Sequence, residues 1–172
     1  MAIRRIFNSE KEYTNLLKAG IKGGYWIDAG CGHGAYTIPL AKLVDKVLAI
    51  DINRSNLNYL EKRMERETIA TIELQEADLQ DIDVYRKKDI QGVLFAFSLH
   101  YQPDISFLQE ILKEKESKTN FKMVIIEYTR ATPVYWVPHP YPEEKIIDKL
   151  TASSKKIQMK FKNDKYYILV IE

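Results

Sequence analysis

Asp28-Ala29-Gly30-Cys31-Gly32-His33-Gly34 sets three of the chain's seven glycines within five residues. Tyr25-Trp26-Ile27 before it is a short apolar run that reads as a buried strand ending at Asp28. Ala35 to Leu43 after it reads as a helix, with Pro39 compatible only in or near the first turn. A glycine-rich turn joining a strand to a helix has a chemical use. Glycine has no side chain to hold a ligand away, and it accepts the backbone angles of a tight turn. The amides at the start of the following helix offer donors to an anionic group.

Working outward, the same alternation repeats. Ahead of the turn, Ser9-Glu10-Lys11-Glu12 fits a capping box, Tyr13, Leu16 and Leu17 follow at helical spacing, and Gly20 stops the helix. Behind it, Lys46 to Ile50 reads as a second strand ended by Asp51, and Asn53 or Ser55 caps a helix carrying Leu57, Leu60 and Met64. Thr71 to Leu74 is a third strand and Gln91 to Phe97 a fourth. Pro103-Asp104 suits the first turn of a helix reaching Lys113. Phe121 to Glu127 is a fifth strand, with the unbroken apolar run Met123-Val124-Ile125-Ile126 of a sheet centre. Pro142-Glu143-Glu144 opens a helix to about Leu150, and Ile157 to Phe161 with Tyr166 to Ile171 reads as a hairpin across Asn163-Asp164. Five strand–helix alternations followed by a hairpin predict an α/β protein. Its sheet is parallel and covered on both faces, with an antiparallel strand added late.

Acids recur at the ends of the early strands. Asp51 lies 23 residues after Asp28, where a carboxylate can accept both hydroxyls of a ribose, or can simply cap the next turn. Asp78, after the third strand, can accept from an adenine amino group or serve as a turn residue. Acids after successive parallel strands share the carboxyl edge, where open α/β sheets bind ligands. Further candidates fall at the same edge. His100 and Tyr101 follow the fourth strand, Glu127 and Tyr128 end the fifth, and the proline-rich loop Thr129 to Tyr141 carries Tyr135, Trp136 and His139. Long structured loops are disproportionately functional.

Composition sets bounds. The chain has 172 residues and 20.1 kDa, with 45% hydrophobic and 29% charged residues, which predicts a single domain over 1–172. The expected division is an N-terminal helix over 1–20 and the core over 21–172. The formal net charge of +2 is small for a dedicated nucleic-acid binder. The densest basic stretch, Lys155 to Lys165, alternates with apolar residues like a solvated strand face. Cys31 is the single cysteine, so neither an internal disulfide nor a cysteine-built metal site is expected. There is no apolar run of transmembrane length and no apolar core of a signal peptide after Met1-Ala2-Ile3-Arg4-Arg5, which predicts a cytoplasmic location.

The residues Asp28 to Gly34 resemble the first motif of the class I S-adenosylmethionine-dependent methyltransferases. Asp51 is similar to that family's ribose-binding acid and Asp78 to its adenine-binding acid. Phe97-Ser98-Leu99-His100-Tyr101 resembles the segment after their fourth strand, and the final hairpin falls where they insert an antiparallel seventh strand. The resemblance runs from about Tyr25 to Glu172. It implies a Rossmann-like, doubly wound, seven-stranded sheet and S-adenosyl-L-methionine as cofactor. The implied cofactor-binding residues are Asp28, Gly30, Gly32, Gly34, Asp51, Ile52, Asp78, Leu79 and Phe97. His100, Tyr101, Tyr128, Trp136 and His139 are the expected acceptor-site residues, with a small molecule favoured over RNA or protein, and neither DNA nor a membrane as partner. The chain departs from the family in having little room for a substrate cap. It also lacks an Asn/Asp-Pro-Pro-aromatic tetrad, which weighs against exocyclic or amide nitrogens as acceptors. Two rival readings remain at this point. A nicotinamide-dependent oxidoreductase shares the turn and the ribose acid, yet predicts Gly-x-Gly-x-x-Gly where this chain has Gly30-x-Gly32-x-Gly34. A non-catalytic cofactor-binding subunit would keep the fold and leave the site to a partner.

Overall fold

The apolar runs Val47-Leu48-Ala49-Ile50 and Met123-Val124-Ile125-Ile126 are fully enclosed in the computed structural model, which describes residues 9–172. Continuous apolar runs of this length need cover on both faces, and a central parallel strand supplies that position. The strands are β1 (Tyr25–Ala29), β2 (Lys46–Asp51), β3 (Ile72–Glu76), β4 (Ile90–Ala96), β5 (Lys122–Tyr128), β6 (Ile157–Lys162) and β7 (Tyr166–Ile171). They form one sheet in the order β3-β2-β1-β4-β5-β7-β6. The first five are mutually parallel, and β7 runs antiparallel to both β5 and β6. The architecture predicted from the sequence is therefore the one observed.

Helices α1 (Ser9–Lys18), α2 (Thr37–Ala41) and α3 (Arg54–Glu67) precede or connect the first strands. Their apolar residues Leu16, Ile38, Leu57 and Leu60 enter the core on one sheet face with Trp26, Val47 and Val124. The opposite core holds Phe95, Ile125 and Leu169 under α4 (Ile82–Tyr85), α5 (Phe107–Glu114) and α6 (Glu143–Leu150). Burial of α5 follows from its pattern, since Phe107, Leu108, Ile111 and Leu112 recur at helical spacing and are all enclosed.

Several boundaries differ from the sequence reading. α2 spans five residues rather than nine, because the glycine turn continues through Ala35 and Tyr36 before helical geometry begins. Pro39 then falls at its third residue, where the missing amide is tolerated. α5 begins at Phe107, not at Pro103, because a 3-10 turn at Leu99–Tyr101 carries the chain first. Asp104 instead closes a loop turn, accepting from Ser106 N and Oγ at 3.2 and 2.9 Å. The four-residue α4 had no periodic signal; Asp81 caps it by accepting from Asp83 N. Asn53, not Ser55, caps α3. The predicted capping box of α1 requires the Ser9 side chain, which lies outside the described residues. β6 is one of the two edge strands, opposite β3, and Lys160 and Lys162 stand exposed on it, as a solvated, basic edge discourages further pairing.

Strand order reverses between β1 and β4, since the chain builds outward from β1 to β3 on one side and then crosses to β4. In open α/β sheets the crevice beyond the carboxyl ends at such a switch point is the ligand site.

Candidate active site

A cavity of about 950 Å³ opens at that switch point. It is bounded by the turn after β1, the ends of β2 and β3, the segment after β4, the end of β5 and one side of α1. The volume is at the upper end of the range for ligand pockets, about 300–1,000 Å³.

The three glycines of the turn have different duties. A Cβ on Gly34 would stand 2.4 Å from Leu60 Cδ1, and one on Gly30 2.6 Å from Ser98 Cβ. These two glycines let the turn pack against α3 and against the segment after β4. Gly32 has φ +51° and nothing within 4 Å of where its Cβ would be. It presents bare backbone to the cavity, the property wanted where a ligand approaches closely. Gly30 and Gly32 line the cavity with Cys31; Gly34 does not.

Asp51 caps the following turn, one of the two readings given to it, and does so from the cavity wall. It is buried at the cavity wall, accepting from Gly32 N at 2.8 Å through Oδ2 and from Asn53 N at 2.8 Å and Asn56 Nδ2 at 3.2 Å through Oδ1. These donors fix the carboxylate between the glycine turn and the start of α3. Ile52, Asp78 and Leu79 line the same end of the cavity. Ile52 is 68% exposed, Leu79 is buried, and Asp78 accepts from Gln80 N at 2.9 Å in a tight turn.

Asp28 requires a correction. Its side chain does not line the cavity among the described residues; it is enclosed beneath the turn and accepts from Thr37 Oγ1 at 2.5 Å. Burial pushes the carboxyl up to about 7; Asp51 nearby adds to the rise, and the Thr37 hydroxyl opposes it. Asp28 thus ties the end of β1 to the first turn of α2. Cys31 is also buried, and burial, with Asp28 and Asp51 nearby, drives its thiol far above its ordinary range. A thiol held protonated is a poor nucleophile.

The other end of the cavity is aromatic. Phe97, at φ +54°, meets Tyr128 in a tilted ring contact with centroids 4.7 Å apart and approaches Tyr36 and Tyr166 at 6.1 and 6.0 Å. A bulky residue in the left-handed region is costly and marks a position held by its surroundings. Asn15, buried on α1, donates to the Tyr36 hydroxyl at 2.9 Å and accepts from the Tyr166 hydroxyl at 3.0 Å. That clamp fixes two walls of the cavity to α1. His100 is buried and its Nδ1 lies 2.9 Å from Glu127 Oε1.

The loop after β5 contributes less than its composition suggested. Trp136 lines the cavity, 58% exposed, with the Arg130 guanidinium over its ring at 5.9 Å. Tyr135 points to solvent at 98% exposure, and neither it nor His139 lines the cavity. His139 instead uses its backbone amide to hold His100 O at 3.0 Å. Lys11, Glu12, Tyr36, Lys165 and Tyr166 line the cavity without having been anticipated. They come from α1, α2's approach and the β6–β7 turn, elements far apart in sequence, and no spacing rule joins them.

The family model of the methyltransferase domain matches residues 27–114, just over half of the chain. The chain belongs to the methyltransferase-domain family. No curated protein sequence matches it. Solved structures of similar fold include a SAM-dependent methyltransferase from Aquifex aeolicus, at 20% identity and TM-score 0.72, with 96% of this chain and 89% of that one covered. An rRNA methylase from Streptococcus thermophilus shares 16% identity at TM-score 0.66, with 100% and 98% covered. Magnesium protoporphyrin IX methyltransferase from Synechocystis PCC 6803, with bound SAM, shares 16% identity at TM-score 0.68, with 97% and 80% covered. This methyltransferase is thus an S-adenosylmethionine-dependent enzyme of class I, as its first motif implied. The nicotinamide reading gives way to the family match. Among the described residues, no helix of the methyltransferase is long and apolar enough to cross a membrane.

Proposed function

We propose that S-adenosylmethionine occupies the Asp51 end of the cavity and that a small-molecule acceptor occupies the aromatic end. One observation carries this reading. A single continuous cavity joins the glycine turn and Asp51 to a wall of aromatic rings, with volume for two ligands side by side. The cofactor fits the residues present. Gly32 offers backbone without a side chain, and Asp51 has a fixed carboxylate at the cavity wall. In this assignment Asp51 accepts from the ribose hydroxyls, Asp78 and Leu79 hold the adenine edge, Ile52 covers its face, and Gly30, Gly32 and Phe97 border the methionine portion. Gly34 and Asp28 act indirectly by shaping the turn.

Bound there, the cofactor supplies a sulfonium methyl that is already electrophilic. The protein's main contribution is alignment, worth up to about 7–11 kcal/mol in well-oriented reactions. His100, Tyr101, Tyr128 and Trp136 border the acceptor, and His139 positions His100 through its backbone. A cytoplasmic site of action agrees with the lone, reduced Cys31.

RNA is the second reading, favoured by Lys11 and Lys165 in the cavity lining and by the likeness to an rRNA methylase. The two separate in one experiment. The purified chain is incubated with methyl-labelled cofactor and, in parallel, with pooled small metabolites and with total RNA. Label in the small-molecule fraction supports the proposal; label confined to RNA replaces it.

A further inference from the structure

We infer that His100 is the general base of the transfer and that the group it methylates is a hydroxyl on a planar ring. This rests on the reading above, in which the acceptor lies at the aromatic end of the cavity.

His100 is enclosed to 1% exposure, yet it is one of the residues that line the cavity. On its far side stands Glu127, equally enclosed. Two backbone N–H groups donate to the Glu127 carboxylate, Tyr128 N at 2.9 Å on Oε1 and His100 N at 3.3 Å on Oε2, and the ring Nδ1 of His100 lies 2.9 Å from Oε1. An ionised carboxylate accepts only, so Nδ1 carries the hydrogen and Nε2 of the neutral ring carries the lone pair. Nε2 has no hydrogen-bond partner among the described residues. The ring is held between Tyr101 at 4.2 Å and Tyr128 at 5.3 Å, and its backbone is pinned by Glu127 and by the His139 amide. A base oriented by a buried carboxylate and facing a cavity is the arrangement that general-base catalysis needs.

The nucleophile follows from what needs a base. A thiol ionises near neutral pH unaided. An aromatic amine attacks through its lone pair before losing a proton. An aliphatic amine arrives as an ammonium ion that must also lose a proton; Lys11 and Lys165 oppose its charge and Glu12 in the same lining attracts it, so the shape of the walls decides against it. A neutral hydroxyl likewise depends on proton removal, and it can be carried on a flat ring. The walls Phe97, Tyr128, Tyr166 and Trp136 suit a planar ring bearing it. In the step, the O–H bond breaks toward Nε2 as the oxygen forms its bond to the methyl carbon. The carbon–sulfur bond breaks with its electron pair staying on sulfur. The proton resides on His100, whose imidazolium Glu127 stabilises, and passes to water after product leaves.

The groups facing His100 are Glu127 and Tyr128 from β5 and Tyr101 from its own turn, with Lys11, Glu12 and Lys165 sharing the cavity. The test pairs a spectroscopic readout with a kinetic one. In the ¹⁵N-labelled wild type, with and without S-adenosylhomocysteine, the neutral His100 is expected as the Nδ1–H tautomer, and Glu127→Gln is expected to lose that preference. Methyl transfer is measured to phenol, catechol, 7-hydroxycoumarin and 4-nitrophenol, and to thiophenol as the acceptor that needs no base. H100Q is expected to lose about 10²–10⁴-fold toward phenol, much less toward 4-nitrophenol at a pH where it is ionised, and little toward thiophenol. E127Q is expected to fall between wild type and H100Q. S-Adenosylhomocysteine binding by both variants stays near wild type, which separates this claim from the cofactor assignment; loss of binding by the wild type would refute that assignment instead. An Nε2–H tautomer, or H100Q as fast as wild type on phenol, overturns the base. A wild type that binds S-adenosylhomocysteine and methylates none of the four hydroxyl probes overturns the hydroxyl. Should H100Q not fold, the wild-type tautomer decides alone.

Discussion

Replacing Asp28 by Asn removes a titrating group from the centre of the fold while keeping its shape and its acceptor for Thr37 Oγ1. The native carboxyl is fully buried and lifted from its ordinary 3.8 to about 7, chiefly by burial. The sign follows from proton counting. Between about pH 4 and pH 7 the unfolded chain has released this proton and the native protein still holds it. The native state therefore binds more protons, and stability falls as pH rises through that window. Each pH unit is worth about 1.4 kcal/mol, so ionised Asp28 costs the fold on the order of 4 kcal/mol above pH 7. Asp28→Asn is therefore expected to match wild type near pH 4 and to be more stable at pH 8, by roughly 2–4 kcal/mol. Urea denaturation midpoints at pH 4.5, 6 and 8 measure this directly. S-Adenosylhomocysteine affinity should change less than threefold, because Asp28 does not reach the cavity. A variant whose stability tracks wild type at every pH refutes the buried-acid account, and a large loss of affinity refutes its placement behind the turn.

The glycines divide in the same way. Gly34→Ala should destabilise by about 1–3 kcal/mol through the clash with Leu60, read as a fall in Tm. Gly32→Val should abolish cofactor binding in calorimetry while the far-ultraviolet circular dichroism keeps its wild-type shape, because its Cβ has space but its side chain fills the cavity. Trp136→Ala should lower methyl transfer at least tenfold, about 1.4 kcal/mol in the barrier, with Tm and cofactor affinity nearly unchanged, since the indole is 58% exposed. A joint loss of Tm and affinity would show that the indole supports the fold.

The sheet was legible because its strands are apolar enough to be read singly. Met123 to Ile126 could only be central, and acids at the ends of the first three strands marked the ligand edge. Asp28 misled because an acid beside a glycine turn looks like a ligand contact, whereas its position within β1 turns the side chain into the core. The pairing of His100 with Glu127 was not visible, although both residues stood out individually. They lie 27 residues apart on different elements, and only the β4–β5 register brings them together. The loop after β5 was read from its composition, and composition does not say which way a side chain points; of Tyr135, Trp136 and His139 only Trp136 faces the cavity. The contribution of α1 had no local signal, because Asn15 finds Tyr166 across 151 residues.

The most direct test of the account is a parallel calorimetric titration of S-adenosylhomocysteine into the wild type and into Asp51→Ala. Asp51 loses its interactions with Gly32, Asn53 and Asn56 together with the proposed ribose contact. Saturable one-to-one binding by the wild type, weakened by about 1–3 kcal/mol in the variant, is the expected result. A wild type that does not bind, or an Asp51→Ala chain that binds equally well, would contradict the placement of the cofactor in this cavity.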